Sequence, residues 1–305
     1  MIEVAAGILI DDRDRVLLMQ RLPGRHLAGL WEFPGGKLES GETIDEALVR
    51  ELNEELGIEV LASAPLISLP WRYPEKAVRL HALRVTAWRG EPRAREGHPL
   101  RWSALPEIDV STMPPADAPI VTALRLPPCY AIVASGALLA PALVAHGAVP
   151  ERVLWQLRMP EAGRDEIRRF ASDALATNPE ARGSLLINQD VELARELGVG
   201  VHLKASQLRD LVERPLPLGS WVGASCHDAE ELERAAELNA DFATLSPVCA
   251  TASHPDAKPL GWERFAPLVA DARLPVYALG GVGPDDLERA HATGAQGVAG
   301  IRAFR

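Results

Sequence analysis

Three glutamates, Glu51, Glu54 and Glu55, stand at i, i+3 and i+4 in the run ELNEEL. On a helix that spacing projects them from one face. Like charges so placed weaken a helix by about a few tenths of a kcal/mol unless something neutralises them. A hard divalent cation does so, because Mg²⁺ takes oxygen ligands from a few carboxylates and from substrate phosphates. Arg50 precedes the acids and can fork onto a carboxylate or meet a phosphate. Gly35-Gly36, ahead of the helix, allows close approach of the backbone to a ligand. Taken alone, the acids would also suit a solvated helix face.

These residues need a loop, a helix and a sheet to hold them. Thr43 is a suitable N-cap, and Gly57 is the residue type favoured just past a helix C-terminus. Leu48, Val49, Leu52 and Leu56 form an apolar stripe that can seat the helix on a sheet. Residues 3–10 and 16–20 are apolar runs around an Asp/Arg turn at 11–15, which predicts a hairpin. Residues 58–67 and 77–88 read as strands joined by an aromatic, basic turn at 70–76. A short strand is expected at 99–102 and a closing helix at 115–126. This order suits an α/β/α sandwich with a mixed sheet. Pro127-Pro128 interrupts regular structure and predicts a boundary, with domains at 1–127 and 128–305.

At 305 residues, two domains of ordinary size are expected, and 47% hydrophobic content suffices for substantial cores. The formal net charge of −10 argues against binding duplex nucleic acid, which calls for a basic footprint. A nucleotide substrate remains compatible, since a metal supplies local positive charge. Cys129, Cys226 and Cys249 are scattered without CxxC spacing, which fits a reducing compartment. The start, MIEVAAGILIDD, lacks a basic n-region and reads as a strand, and no apolar run reaches the length of a membrane span. A cytoplasmic protein with no membrane partner is expected.

Gly36, Glu42, Arg50, Glu51, Leu52, Glu54, Glu55, Gly57 and Ile58 together fit G-x5-E-x7-R-E-U-x-E-E-x-G-U, with U aliphatic. The stretch therefore resembles the Nudix box. That resemblance implies Mg²⁺- or Mn²⁺-dependent hydrolysis of a nucleoside diphosphate linked to another group. Around the box the chain is similar to the MutT type, which clears oxidised guanine nucleotides such as 8-oxo-dGTP. Glu32-Phe33-Pro34-Gly35-Gly36-Lys37 matches its EFPGGK. Arg21 and His26 stand where that type has substrate-touching residues. Arg95-Glu96-Gly97-His98-Pro99 resembles its KEGQP, and 113–119 resembles its FPPANEP. The resemblance implies Glu51, Glu54, Glu55, Glu96 and the Gly35 carbonyl as metal ligands, with Arg50 also in the catalytic set. It implies Arg21, His26, Glu32, Phe33, Pro34, Gly35, Lys37, Lys76 and Asp117 at the substrate, with Phe33 against the base. Attack at the β-phosphorus would give a nucleoside monophosphate and pyrophosphate.

Two positions depart from that pattern. Asp117 replaces an asparagine that both donates to and accepts from the base. Ionised, it only accepts; protonated, it also donates. It could instead cap the closing helix. Lys76 replaces an arginine, a better planar stacker.

From Cys129 onward, apolar runs at 130–133, 153–158, 184–187, 200–204, 221–225, 242–247, 276–279 and 297–301 alternate with helical patterns. Eight such units predict a (β/α)₈ TIM barrel; a doubly wound sheet is the alternative. Gln156-Leu157-Arg158, Ile187-Asn188-Gln189, Gly200-Val201-His202-Leu203, Ser225-Cys226-His227 and Leu279-Gly280-Gly281-Val282 resemble motifs of the thiamine-phosphate synthase and TenI family. The resemblance implies a pocket of Gln156, Arg158, Asn188, Ser225, His227, Thr251, Gly280, Gly281 and Gly300, with a thiazole or pyrimidine phosphate as ligand. Pro160, Gln189, Lys204, His254 and Arg302 stand where the synthase has residues of other chemistry, Gln189 replacing a metal-binding aspartate. His227 matches the proton-transfer histidine of the tautomerases.

Three readings follow. The first is a Mg²⁺-dependent hydrolase of oxidised purine nucleoside triphosphates, which sanitises the nucleotide pool for DNA replication and repair and carries a degenerate barrel. The second is a thiamine-metabolism protein that hydrolyses damaged thiamine diphosphate and binds or tautomerises thiazole phosphate. In the third, the barrel is a non-catalytic interaction module.

Overall fold

The computed structural model describes residues 1–139, 153–251 and 258–301. The chain divides into two compact units, Met1–Arg125 and Leu126–Arg305.

In the first unit a four-stranded mixed sheet has the order β4-β1-β6-β5. Its strands are β1 (Ile2–Leu9), β4 (Gly35–Lys37), β5 (Glu59–Arg72) and β6 (Ala77–Arg89). A three-stranded antiparallel sheet, order β3-β2-β7, holds β2 (Arg15–Gln20), β3 (Trp31–Glu32) and β7 (Leu100–Ala104). Strand alternation sorts β1 between two cores. Ala5 and Leu9 pack with Ala47, Leu48, Leu52 and Leu56 of helix α1 (Ile44–Leu56). Ala6 and Ile8 pack with Ile120, Val121 and Leu124 of helix α2 (Ala118–Arg125). This is the expected α/β/α sandwich.

Helix α1 has the expected ends: Thr43 and Glu46 form a capping box, and Gly57 closes it in the left-handed region at φ 72°. Val49 departs from the expected stripe and is 41% exposed.

Two expectations need correction. Strands β1 and β2 are not a ladder-forming hairpin; beyond one bridge, Ile10 to Val16, they enter different sheets. Both carry unbroken buried runs, which need cover on both faces, and two isolated strands cannot provide it. Strand β5 runs through Pro70 to Arg72, and the reversal shrinks to Tyr73–Lys76, closed by a 2.8 Å bond from Tyr73 N–H to Lys76 O. Pro70 is tolerated because β5 is an edge strand, where a missing N–H breaks no ladder bond.

In the second unit eight parallel strands close in the order β10-β11-β12-β13-β14-β15-β8-β9. They are β8 (Cys129–Val133), β9 (Val153–Leu157), β10 (Leu185–Asn188), β11 (Gly200–Leu203), β12 (Val222–Cys226), β13 (Phe242–Leu245), β14 (Val276–Leu279) and β15 (Gly297–Gly300). The barrel is thus confirmed over the doubly wound alternative. Tyr130, Leu154, Leu186, Phe242, Tyr277 and Ala299 form one apolar cluster, and Tyr130, Phe242 and Tyr277 have ring centroids 5.2–5.8 Å apart. Gly223 leaves room for this layer, since a Cβ there would stand 2.5 Å from the Phe242 ring. The second cluster holds the alternate strand residues Cys129, Ala131, Trp155, Ile187 and Val201 together with helix residues such as Leu193, Leu232 and Phe265. The three cysteines are free. Among the described residues no helix is long and apolar enough to cross a membrane.

Candidate active site

The β4 loop and helix α1 meet face to face. Gly35 has φ +140°, and a Cβ there would lie 2.1 Å from the Ala5 carbonyl oxygen, so only glycine fits this strand pairing. Its N–H donates to Glu55 Oε2 at 2.8 Å. At Gly36 a Cβ would lie 2.2 Å from the Glu51 carboxyl carbon. The missing side chain is therefore the space that Glu51 fills.

Arg50 organises the acids. Its Nε and Nη2 fork onto Glu42 at 2.7 and 2.9 Å, Nη2 also donates to Lys37 O, and Nη1 lies 2.9 Å from Glu51 Oε1. The guanidinium and the Glu39 N–H hold the Glu42 carboxyl down at about 2. Glu54 turns outward, half exposed, with its nearest cation Arg50 at 3.4 Å. Glu55 is only 9% exposed. Burial, reinforced by Glu51, Glu32 and Glu96, pushes its carboxyl up to about 8.

A cavity of about 400 Å³ opens above these groups. It brings together Arg21, His26, Glu32, Gly35, Lys37, Glu51, Glu55, Lys76, Glu96 and Asp117. Arg21 is ion-paired with Glu32 and donates to His26 O at 2.6 Å. The His26 ring meets Tyr73 edge-on at 5.3 Å, and Lys76 Nζ lies 5.6 Å from the Tyr73 centroid.

Asp117 is 5% exposed and its Oδ2 has no hydrogen-bond partner. Burial, and then the charge of Glu32, push its carboxyl well above the usual range, with Arg21 opposing. It closes a short 3-10 turn, Pro115–Asp117, directly ahead of α2.

Four expected site residues lie elsewhere. The Phe33 ring belongs to the core with Ile8, Leu18 and Leu80 and does not line the cavity. Pro34 is buried and gives its carbonyl to Gly7 N–H. Arg50 and Glu54 do not line the cavity. Among the lining residues without an assigned role are Tyr73 and His98. Tyr73 lay inside a segment read as a turn, and His98 inside a motif whose signal was carried by Glu96.

In the barrel, Gln156, Arg158, Asn188, Ser225, His227, Thr251, Gly280, Gly281 and Gly300 all border one cavity of about 980 Å³ near the C-terminal ends of the strands, the functional face of such barrels. Gln156 donates to Asn188 Oδ1 at 2.7 Å. His227 is exposed and paired with Glu231 at 2.9 Å. Lys204, Gln189 and the buried His202 also line the cavity. His202 joins Tyr130 OH and Ser225 Oγ, each at 2.9 Å. Burial lowers its basicity to about 3, leaving it neutral. His254 and Arg302 lie outside the described residues.

Comparison with known proteins agrees with this division. The NUDIX domain model matches residues 1–124, and the model for thiamine monophosphate synthase matches residues 129–304. The 8-oxo-dGTP diphosphatase of Escherichia coli K12 is 35% identical over 124 residues, 41% of this chain and 96% of that protein. The chain belongs to both families. Its N-terminal half is a Nudix pyrophosphohydrolase. The CTP pyrophosphohydrolase of the same organism is 41% identical over 123 residues, covering 40% of this chain and 90% of that one. For the barrel, the thiamine-phosphate synthase of Lactococcus lactis subsp. cremoris is 35% identical over 129 residues, 40% of this chain and 57% of that protein.

Proposed function

We propose that the N-terminal half hydrolyses oxidised purine nucleoside triphosphates, 8-oxo-dGTP above all, to the monophosphate and pyrophosphate. The observation that carries this reading is Asp117, a buried carboxyl with an unpartnered oxygen on the same cavity as the carboxylate cluster. A carboxyl in so desolvated a place keeps its proton and then offers a donor beside an acceptor. Oxidised guanine presents the complementary pair, N7–H beside O6. Unmodified guanine presents two acceptors on that edge. Asp117 in its neutral form thereby does what the asparagine of the MutT type does.

The carboxylates fit a divalent cation. Glu55 is pushed toward neutrality by burial first and then by the charges of Glu51, Glu32 and Glu96, charges that a bound cation would balance. Glu51, Glu55, Glu96 and the Gly35 carbonyl would hold Mg²⁺ or Mn²⁺, with Glu54 at the solvent edge. The ion supplies charge neutralisation for the phosphate oxygens, the main requirement of phosphoryl transfer. Arg50 positions Glu51 through Glu42 and Lys37 O. Lys37 neutralises phosphate oxygens at the mouth, and Arg21, held by Glu32 and His26 O, borders the base. One of the carboxylates accepts the proton of the water that attacks the β-phosphorus. The test is a panel of nucleoside triphosphates and oxidised thiamine diphosphate with each product analysed. Fastest release of pyrophosphate from an oxidised purine nucleotide supports the proposal; preference for CTP or for the thiamine compound refutes it.

For the barrel we infer binding of a phosphate ester without a metal. Arg158 and Lys204 border the cavity beside the main chain of Gly280, Gly281 and Gly300, a setting that suits a phosphate dianion. Gln189 and Lys204 bring no carboxylate to it; the acids that border the cavity, Asp285 and Asp286, lie in the turn Pro284–Asp286. Titration with thiazole phosphate tests this, and an affinity that depends on added Mg²⁺ contradicts it.

A further inference from the structure

His98 has no role in the reading above, yet its position is unusually well defined. It lies on the connection between β6 and β7, two residues after Glu96, and is 7% exposed. The segment is pinned to the end of β2, where Gln20 N–H donates to Pro99 O at 2.9 Å. His98 Nδ1 stands 3.1 Å from the Gln20 carbonyl oxygen. A carbonyl only accepts, so Nδ1 carries the proton and donates. In the neutral ring Nε2 is then a bare acceptor.

That acceptor points at acids. One ligand atom from each of Glu55, Glu96 and His98 falls within 4.8 Å of the others. Nε2 stands 3.5 Å from Glu96 Oε2, beyond the length of an N–H···O hydrogen bond. An imidazole tethered by Nδ1–H to a main-chain carbonyl, with its other nitrogen free, is the arrangement that fixes tautomer and ring orientation in metal-ligating histidines. Gln20 performs the tether here.

We propose that His98 Nε2 is a ligand of the divalent cation held by Glu55 and Glu96, a nitrogen donor in an otherwise all-oxygen site. This rests on the metal site proposed for the N-terminal half. Magnesium demands oxygen ligands in near-ideal octahedral geometry, whereas imidazole suits transition ions. The nitrogen therefore biases the site toward Mn²⁺ and its neighbours over Mg²⁺. Arg21, Arg25, Lys37 and Lys76 are the cations on the same cavity.

The experiment uses the full chain, Mn²⁺ as the probe, and electron–nuclear double resonance as a readout independent of turnover. Expected is an imidazole ¹⁴N coupling on bound Mn²⁺, replaced by a ¹⁵N coupling when the protein is made with ¹⁵N-histidine. In His98→Gln the coupling disappears, while Mn²⁺ still binds about tenfold more weakly and the Mg²⁺ affinity changes by less than about threefold. Labelled wild-type protein gives the answer even if the variant does not fold. Bound Mn²⁺ without nitrogen coupling overturns the assignment of His98 and leaves the carboxylate site intact. A coupling that persists in His98→Gln overturns it as well, by locating the nitrogen elsewhere. Mn²⁺ binding that is absent, or indifferent to Glu55→Gln, defeats this proposal together with the carboxylate site.

Discussion

Glu55→Gln should make the metal-free Nudix half more stable and leave it unable to catalyse. The carboxyl ordinarily titrates at 4.5 and is pushed to about 8 in the fold. Above pH 4.5 the unfolded chain has released this proton while the folded chain keeps it. The unfolded state then binds fewer protons, so stability falls as pH rises from 4.5 toward 8 and levels off beyond. At about 1.36 kcal/mol per pH unit, the interval from 4.5 to pH 7 costs wild type about 3 kcal/mol. Glutamine removes that cost and keeps an acceptor for Gly35 N–H, which donates to Glu55 Oε2 at 2.8 Å. Hydrogen-exchange mass spectrometry in EDTA, followed on α1 and β4 from pH 5 to 9, resolves this half from the barrel. The variant should show a flat profile and, at pH 7, slower exchange than wild type. Mn²⁺ at about 1,000 times Kd should reverse the order, because at that excess a ligand adds about 4.1 kcal/mol to the form that binds it. Turnover should fall at least about 100-fold, the usual effect of losing one preorganised charge-stabilising group. A pH slope equal in both proteins, or near-normal turnover in the variant, would refute the reasoning.

Asp117→Asn should keep kcat/KM for 8-oxo-dGTP at pH 7 within about threefold of wild type, whereas Asp117→Leu should lower it about 10–100-fold by deleting both hydrogen bonds. In wild type the same parameter should decline as rising pH ionises Asp117, and in Asp117→Asn that limb should be absent; pH–rate profiles check both. The two glycines of the loop should respond differently. Gly35→Ala drives a Cβ into the Ala5 backbone and should leave little folded protein by circular dichroism. Gly36→Ala displaces only the Glu51 carboxylate, so it should fold, and its Mn²⁺ affinity should drop about tenfold or more in calorimetry.

Much of this was legible in the sequence because local rules and long-range packing agree there. Thr43 and Gly57 bound a helix whose Leu48, Leu52 and Leu56 lie on the sheet side. The barrel was readable because each strand is a short apolar run between helical patterns. What the sequence hid was set by neighbours remote in the chain. β1 and β2 resemble a hairpin locally, but each is buried deeply enough to need its own sheet. Phe33 adjoins the glycine loop, yet its ring is buried among Ile8, Leu18 and Leu80 from other strands. Glu51, Glu54 and Glu55 share a helical face, and only the approach of β4 separates the buried Glu55 from the outward Glu54. The upward push on the Asp117 carboxyl comes from burial by distant elements, with Glu32 adding to it. His98 gained a role only when Gln20, 78 residues away, appeared against its ring.

The central claim concerns the substrate, and the ratio of kcat/KM for 8-oxo-dGTP to that for dGTP tests it most directly. The two differ at the edge that Asp117 is proposed to read, and one donor–acceptor pair against an acceptor clash is worth about 1–3 kcal/mol. A ratio of roughly 10–100, largely lost in Asp117→Leu, is the predicted result. A ratio near unity, or one untouched by Asp117→Leu, would contradict the account.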